Sequence, residues 1–278
     1  MDRVAAPPRR RVASPLMAQR YGPWAVVTGA SDGIGQAFAR SLAAEGLNLV
    51  LVARREAALA SLASELQAAH GVQCRVVALD LAALAASQQL ADATADLDVG
   101  LLVAAAGFGT SGPLLEAGLA PEAEMADLNC RAVMAQAWHF GHRMARRGRG
   151  GVVFMSSLLA FHGTPRAAHY AATKAYVQTL AEGLRVEWAP LGVDVIASAP
   201  GPIRSGFAAR ANMRMAQALP AEVVARVTLR ALGRRTTVRP GWLSKVLGWS
   251  LAMLPRWGQV RVIAQVMKRM TAHNGPAA

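Results

Sequence analysis

Tyr170 and Lys174 stand one helical turn apart in Ala167-Ala-His-Tyr-Ala-Ala-Thr-Lys-Ala-Tyr-Val-Gln178, a run rich in alanine and free of Gly and Pro. Such a run favours a helix, on which residues at i and i+4 share one face. A phenol with an ordinary pKa near ~10 is a poor proton donor at neutral pH, but an ammonium beside it favours the phenolate and lowers that pKa. Tyr170 can then trade a proton with a substrate oxygen. Upstream, Ser157 closes Gly150-Gly-Val-Val-Phe-Met-Ser-Ser157, an apolar strand pattern ending in a hydroxyl-bearing turn. His169 is set aside as a general base, because Tyr170 already has the lysine partner and a lone His is more often structural or exposed.

A third stretch, Thr28-Gly29-Ala30-Ser31-Asp32-Gly33-Ile34-Gly35, lies between a short strand and a helix. Glycines let the backbone turn tightly and approach a pyrophosphate, while the helix N-terminus offers unpaired N–H groups and a favourable dipole. Together the three stretches resemble the short-chain dehydrogenase/reductase family, which pairs a Thr-Gly-x-x-x-Gly-x-Gly nucleotide loop with an upstream Ser and a Tyr-x-x-x-Lys helix. The resemblance covers about residues 21 to 210.

It implies a Rossmann-type doubly wound α/β sheet and hydride exchange between a nicotinamide cofactor and a carbonyl/alcohol pair. In reduction, the family's mechanism has Ser157 hydrogen-bond the substrate carbonyl and Tyr170 protonate its oxygen. Lys174 holds the nicotinamide ribose and biases Tyr170, and Asn129 holds a water beside Lys174 in a proton relay. The resemblance also puts cofactor contacts on Thr28, Gly29, Ser31, Asp32, Gly33, Ile34 and Gly35 of the loop, and on Asp80 and Leu81 at the adenine. Further contacts fall on Ala105 and Gly107 after the fourth strand, and on Pro200, Gly201, Ile203 and Ser205 after the sixth. Where the family usually has Asn-Asn-Ala-Gly, this chain has Ala104-Ala-Ala-Gly107; the missing amides put the bracing of the sheet there in doubt.

The elements that must position these residues follow in order. Strand patterns fall at Trp24–Val27, Asn48–Ala53, Cys74–Leu79, Gly100–Ala105, before Ser157, and at Val193–Ala199. Helical patterns fall at Gly33–Glu45, Glu56–Ala69, Leu84–Thr94 and, with Pro121 at its first position, Pro121–Arg147. Ala53 stands where an NAD-selective site wants a carboxylate for the ribose 2′-hydroxyl. Arg54 and Arg55 follow, badly placed for the dipole of the next helix unless a 2′-phosphate sits among them. NADP(H) is therefore expected over NAD(H); Asp32, where some NADP-preferring relatives carry a base, counts the other way.

At 278 residues the chain fits one large domain, divided as a basic disordered segment over 1–20, a catalytic body over 21–240 and a helical tail over 241–278. Met17, just before the first strand, is a candidate start of translation. Cys74 and Cys130 lack paired ligand spacing and read as buried reduced thiols of a cytoplasmic protein, and no metal site is expected. The net charge of +13 is uneven: residues 201–278 carry thirteen Lys and Arg against Glu222 alone. Such an end favours an anionic neighbour, either a membrane surface or a phosphate-bearing substrate. Nucleic acid is not the expected partner, because no helix-turn-helix or finger motif is present and aromatics do not interleave with the basic residues.

Past Gly206, Phe207–Leu219 reads as a mobile helical lid and Glu222–Leu232 as a packing helix. Trp242–Leu254 is apolar but too short to span a bilayer, and Pro255 breaks it from a stripe of Val260, Ile263, Met267 and Met270. That tail can lie in a membrane interface, or pack on the body or on a second subunit; relatives are often homo-oligomers. The sequence thus reads as an NADP(H)-dependent oxidoreductase of an apolar, lipid-like carbonyl or alcohol. The alternative, a non-catalytic NADP(H) sensor or membrane-docking protein on the same fold, has no use for Asn129, Ser157, Tyr170 and Lys174 together.

Overall fold

The computed structural model describes residues 15–213 and 218–271. Its centre is a parallel sheet of β1 (Trp24–Thr28), β2 (Asn48–Ala53), β3 (Cys74–Ala78), β4 (Val99–Ala104), β5 (Gly150–Met155), β6 (Val193–Ser198) and β7 (Thr237–Val238). The order is β3-β2-β1-β4-β5-β6-β7. It reverses between β1 and β4, so the crevice at the carboxyl ends of those strands is where such a sheet takes a ligand. β7 is the strand the sequence pattern missed; two residues pairing with Ala197 and Ser198 leave no periodicity to detect.

The strands are apolar on both faces because both are covered. Leu49 and Leu51 of β2 point into one core with α2 (Gly33–Ala44), α3 (Glu56–His70) and α9 (Ala221–Ala231). Val50 and Val52 point into the other, with α4 (Ala86–Asp92), α6 (Val133–Arg147) and α7 (Ala168–Trp188). Each buried leucine or valine contributes about 1.5–3 kcal/mol relative to exposure. The doubly wound α/β architecture expected from the sequence is thus present.

Three expectations need correction. Part of the segment read as disordered is helix α1 (Pro15–Tyr21), whose Arg20 and Tyr21 both reach Asp194 at the start of β6, at 2.7 and 2.6 Å; residues 1–14 lie outside the described residues. The long helix begins earlier, as α5 (Leu119–Ala126), with Pro121 in its first turn but not at the first position. It passes through a π-helical turn, Asp127–Ala132, before continuing as α6. Finally, the two cysteines are half-buried rather than buried, and burial still pushes both thiols up.

The tail forms α10 (Trp242–Ala252) and α11 (Arg256–Met270), broken at Pro255 as expected. It packs on the body. Ile263 and Met267 of α11 and Leu251 of α10 join Phe108, Met125, Tyr170 and Met213 in a third apolar cluster beside the sheet's carboxyl end. Gln259 meets His162 at 2.8 Å, and Arg166 donates to Thr271 at 2.5 Å.

Candidate active site

Ser157 follows β5 and caps the short helical turn Leu158–Phe161 by accepting from the Leu159 N–H at 3.2 Å. Its hydroxyl also hydrogen-bonds Tyr170, which α7 presents from its first turn. Lys174, one turn on, donates to the Met155 carbonyl at 2.9 Å, with Nζ 5.8 Å from the centre of the Tyr170 ring. The three side chains line one cavity.

Their electrostatics differ from the expectation. Tyr170 is pushed up to about 12 by burial, only partly offset by the Ser157 hydrogen bond. Lys174 is pushed down to about 8, again mainly by burial. The ammonium expected to depress the phenol is itself penalised by the apolar surroundings, so desolvation outweighs the pair attraction. Tyr170 is held as a protonated hydrogen-bond donor, the form an acid needs.

Asn129 sits in the π-helical turn, fully buried. Its side-chain amide donates to the Phe108 carbonyl at 2.9 Å and to Thr173 Oγ1 at 3.0 Å, and its oxygen accepts from the Phe108 N–H at 3.2 Å. These bonds pin the loop after β4 against α7, and the amide oxygen keeps a second lone pair. His169 is likewise occupied, with Nδ1 2.5 Å from Glu122 of α5. Glu122 was not singled out in the sequence, because its partner is remote in the chain.

The glycine loop meets its geometric requirements. Gly29 has φ +68°, and a Cβ there would stand 3.0 Å from the backbone of Ala105 and Ala106. A Cβ on Gly35 would stand 2.2 Å from the Gly29 carbonyl, so only glycine lets α2 start this close to β1. Asp32 caps α2, accepting from the Gly33 N–H at 2.7 Å, and reaches the Gly206 N–H at 3.1 Å. Ser205 lies directly against Gly33. Thr28 does not line the cavity: it is buried, accepting from the N–H groups of Ala105 and Ala106 at 3.1 Å each. That brace supplies what the missing amides of Ala104-Ala105-Ala106-Gly107 had put in doubt.

Two cavities meet at Ile34, Ala105, Gly107, Ser205 and Phe207. The first, about 440 Å³, is lined by Gly29, Ser31, Asp32, Gly33, Gly35, Arg54, Arg55, Asp80 and Leu81. Arg55 donates to the Ser31 carbonyl at 2.9 Å, whereas Arg54 is shared between Asp80 at 3.7 Å and Glu124 at 3.5 Å. Arg210 also binds Glu124, at 3.0 Å. The second, about 590 Å³, holds Ser157, Tyr170, Lys174, Pro200, Gly201 and Ile203, and is walled by Phe207, Met213, Leu251, Ile263 and Met267. Ser244 of α10 accepts from the Gly201 N–H at 3.1 Å, tying the tail to the loop after β6. The lid segment is pinned at its base, where Ile203 pairs with Leu219, and its helix α8 spans only Phe207–Arg210; residues 214–217 lie outside the described residues.

The glycine cradle, the α2 N-terminus and the polar cavity fit a dinucleotide. The family model for short chain dehydrogenases matches residues 23–216. The 7beta-hydroxysteroid dehydrogenase of Clostridium sardiniense is 35% identical over 183 residues, which are 66% of this chain and 70% of that protein. The very-long-chain 3-oxoacyl-CoA reductase of Aspergillus clavatus is 40% identical over 179 residues, 63% of this chain but 52% of that protein. A structure described for 7beta-hydroxysteroid dehydrogenase stereoselectivity superposes with a TM-score of 0.83 at 26% identity, covering 89% of this chain and 98% of that one.

The chain belongs to the short-chain dehydrogenase family, whose members bind a nicotinamide cofactor. It is accordingly an oxidoreductase of a carbonyl/alcohol pair. Among solved relatives, a Sphingobium yanoikuyae dehydrogenase carries NADPH (TM-score 0.76, 26% identity, 84% of this chain and 97% of that one). A Burkholderia phymatum relative carries NAD (TM-score 0.75, 27% identity, 82% and 92%).

Proposed function

We propose that this protein reduces or forms a carbonyl on a bulky apolar, lipid-like molecule with NADP(H) as cofactor. The observation that carries the reading is the position of the Ser157–Tyr170 pair inside a cavity walled almost entirely by apolar side chains, which meets a smaller polar cavity at Ile34, Ala105, Gly107, Ser205 and Phe207. A cavity of about 590 Å³ is of the size that takes a multi-ring or long-chain molecule. The names of the two relatives above, a hydroxysteroid dehydrogenase and a very-long-chain 3-oxoacyl-CoA reductase, point the same way.

When bound, the cofactor supplies hydride to the carbonyl carbon. The residues of the chain do the rest. Ser157 and Tyr170 hydrogen-bond the carbonyl oxygen, and both bonds strengthen as charge develops on it, which lowers the barrier. Tyr170 passes its proton to that oxygen. Lys174, anchored on the Met155 carbonyl with its ammonium 5.8 Å from the centre of the Tyr170 ring, stabilises the phenolate left behind. Asn129 acts as a positioning residue, holding the Phe108 backbone and Thr173 in register around the site.

The preference for NADP(H) rests on Arg55 beside Ser31, with Arg54 next to it, and on the absence of a carboxylate at Ala53. We also place the protein as a homo-oligomer, supported by exposed Met134 and Trp138 on α6 and Tyr176 on α7; native mass measurement tests this. The deciding assay follows NADPH and NADH oxidation with steroid ketones, 3-oxoacyl thioesters and short aliphatic ketones, with Tyr170→Phe as control. Turnover confined to NADPH and bulky apolar ketones supports the reading. Equal rates with NADH, or activity only on short ketones, contradict it.

A further inference from the structure

We propose that the outer face of α10 and the start of α11 docks on an anionic membrane surface, and that the catalytic cavity takes its substrate from that surface. Trp242, Val246, Trp249 and Met253 recur at helical spacing on one face of α10 and are 74%, 53%, 78% and 87% exposed. Trp257, 65% exposed, continues the patch onto α11. Three of the chain's six tryptophans are thus placed in solvent within one short stretch, where burial in the body gives them nothing. Singly scattered surface apolars are ordinary; a contiguous set of this kind marks an interaction surface.

The charge around the patch selects its partner. Lys245, Arg256 and Arg261 are exposed among the aromatic residues, and the Arg261 guanidinium lies 5.1 Å from the centre of the Trp257 ring. No Asp or Glu follows Glu222 in the chain. A two-fold contact between copies would set this same cationic patch against itself, since an isologous interface pairs each surface with its own image. An anionic bilayer instead receives the cations at its headgroups and the tryptophans at the boundary with the acyl chains. Among the described residues no helix is long and apolar enough to cross a membrane, so the contact is peripheral.

The cavity opens at the same end. Ser250, Val262, Val266 and Arg269 line it and are themselves exposed. Ser250 sits one turn from Val246, on the flank of the tryptophan face. An apolar molecule leaving the bilayer would therefore meet the cavity mouth without crossing water, with Arg269 at the rim. The delivery step rests on the cavity being the substrate site proposed above; the docking does not.

The test uses the full-length protein with extruded vesicles of phosphatidylcholine, with and without phosphatidylglycerol. The comparison variant is Trp242→Ala/Trp249→Ala/Trp257→Ala, whose exposed side chains leave the melting temperature near that of the parent. The expected result is sedimentation with the anionic vesicles that weakens with salt, with a blue shift of tryptophan emission and quenching by brominated lipid. In the variant, affinity falls by roughly tenfold or more. Turnover of a water-soluble ketone stays unchanged in the variant, while turnover of a ketone dissolved in the vesicles drops.

Equal sedimentation of parent and variant, or an unquenched emission spectrum, overturns the docking. So does a change of native mass in the variant, which would make the face a contact between copies. If docking occurs but the variant processes vesicle-borne ketone as fast as the parent, delivery is overturned. If no ketone is turned over in any form, the enzymatic reading fails while the vesicle measurements still decide the docking.

Discussion

The two cavities are built by different means. The nucleotide side is shaped by backbone: glycines where a Cβ has no room, the α2 N-terminus, an aspartate capping two N–H groups, and a threonine stitching β1 to the turn after β4. The apolar cavity is shaped by side chains from distant segments, Phe207, Met213, Leu251, Ile263 and Met267, which share nothing but their packing in the Tyr170 cluster. A ligand with fixed chemistry can be met by fixed backbone, so that half is written in residue types and spacings. A wall that only has to exclude water can be made from many sequences.

The largest expected effect falls on Tyr170, which lines the apolar cavity close to its meeting with the polar one. Tyr170→Phe should lower kcat by about 10²–10⁴-fold with little change in cofactor affinity, measured by stopped-flow turnover beside fluorescence titration. A rate within a few-fold of the parent would remove Tyr170 from the chemistry and leave the apolar cavity without its acid. Next comes the polar side. Arg55→Ala should reduce the NADPH-over-NADH ratio of kcat/KM by about 10–100-fold, the worth of a hydrogen-bonded charge contact. Arg54→Ala should do less, because Asp80 and Glu124 already share that guanidinium. The reverse order would show that Arg54 is the selector.

On the apolar side, Met267→Ala should raise KM for bulky ketones by about tenfold while leaving cofactor affinity and short-ketone turnover near the parent values. The same change empties a buried site and should cost about 2–4 kcal/mol of stability in urea unfolding. A loss of NADPH affinity in this variant would mean that the two halves are not separable.

The smallest effect is a pH dependence of folding. Lys174 is held down at about 8 in the fold, from an ordinary 10.5. Above pH 8 the unfolded chain therefore binds more protons than the native one, and stability rises with pH until the phenol of Tyr170, ordinarily ionising near 10 and held at about 12 in the fold, reverses the slope. Between pH 7.5 and 9.5 the gain should be at most about 2 kcal/mol. It should vanish in Lys174→Met. A gain that survives in that variant assigns the slope to another group.

The same contrast explains what could be read from the sequence. The Gly29–Gly35 loop, the Tyr170–Lys174 spacing, six of the strands and the break at Pro255 all follow from local rules, namely φ > 0, i/i+4 geometry, apolar runs and a missing N–H. The structure puts Tyr170 and Lys174 on one helix face as their spacing implied, and brings Ser157 to them as the family resemblance implied. What was not legible depends on partners far away in the chain. Thr28 turned out to brace Ala105 and Ala106 rather than line the cavity, Asn129 to hold Phe108, and Glu122 to engage His169. The upward shift of Tyr170 comes from burial, and its apolar neighbours Leu251, Ile263 and Met267 lie so far along the chain that no local pattern reveals them.

The hydrogen bond from the Gly201 N–H to Ser244 makes the tail more than a replaceable cover. It fastens α10 to the backbone that lines the Tyr170 cavity, and loss of the acceptor leaves that N–H with about 1–3 kcal/mol of unmet demand if no water reaches it. Anyone exchanging this tail for that of another dehydrogenase, to graft a new substrate range onto the same nucleotide body, must therefore carry a hydroxyl or a carbonyl to position 244. A chimera without one would show its defect in cofactor handling, at a distance from every residue that was swapped for specificity.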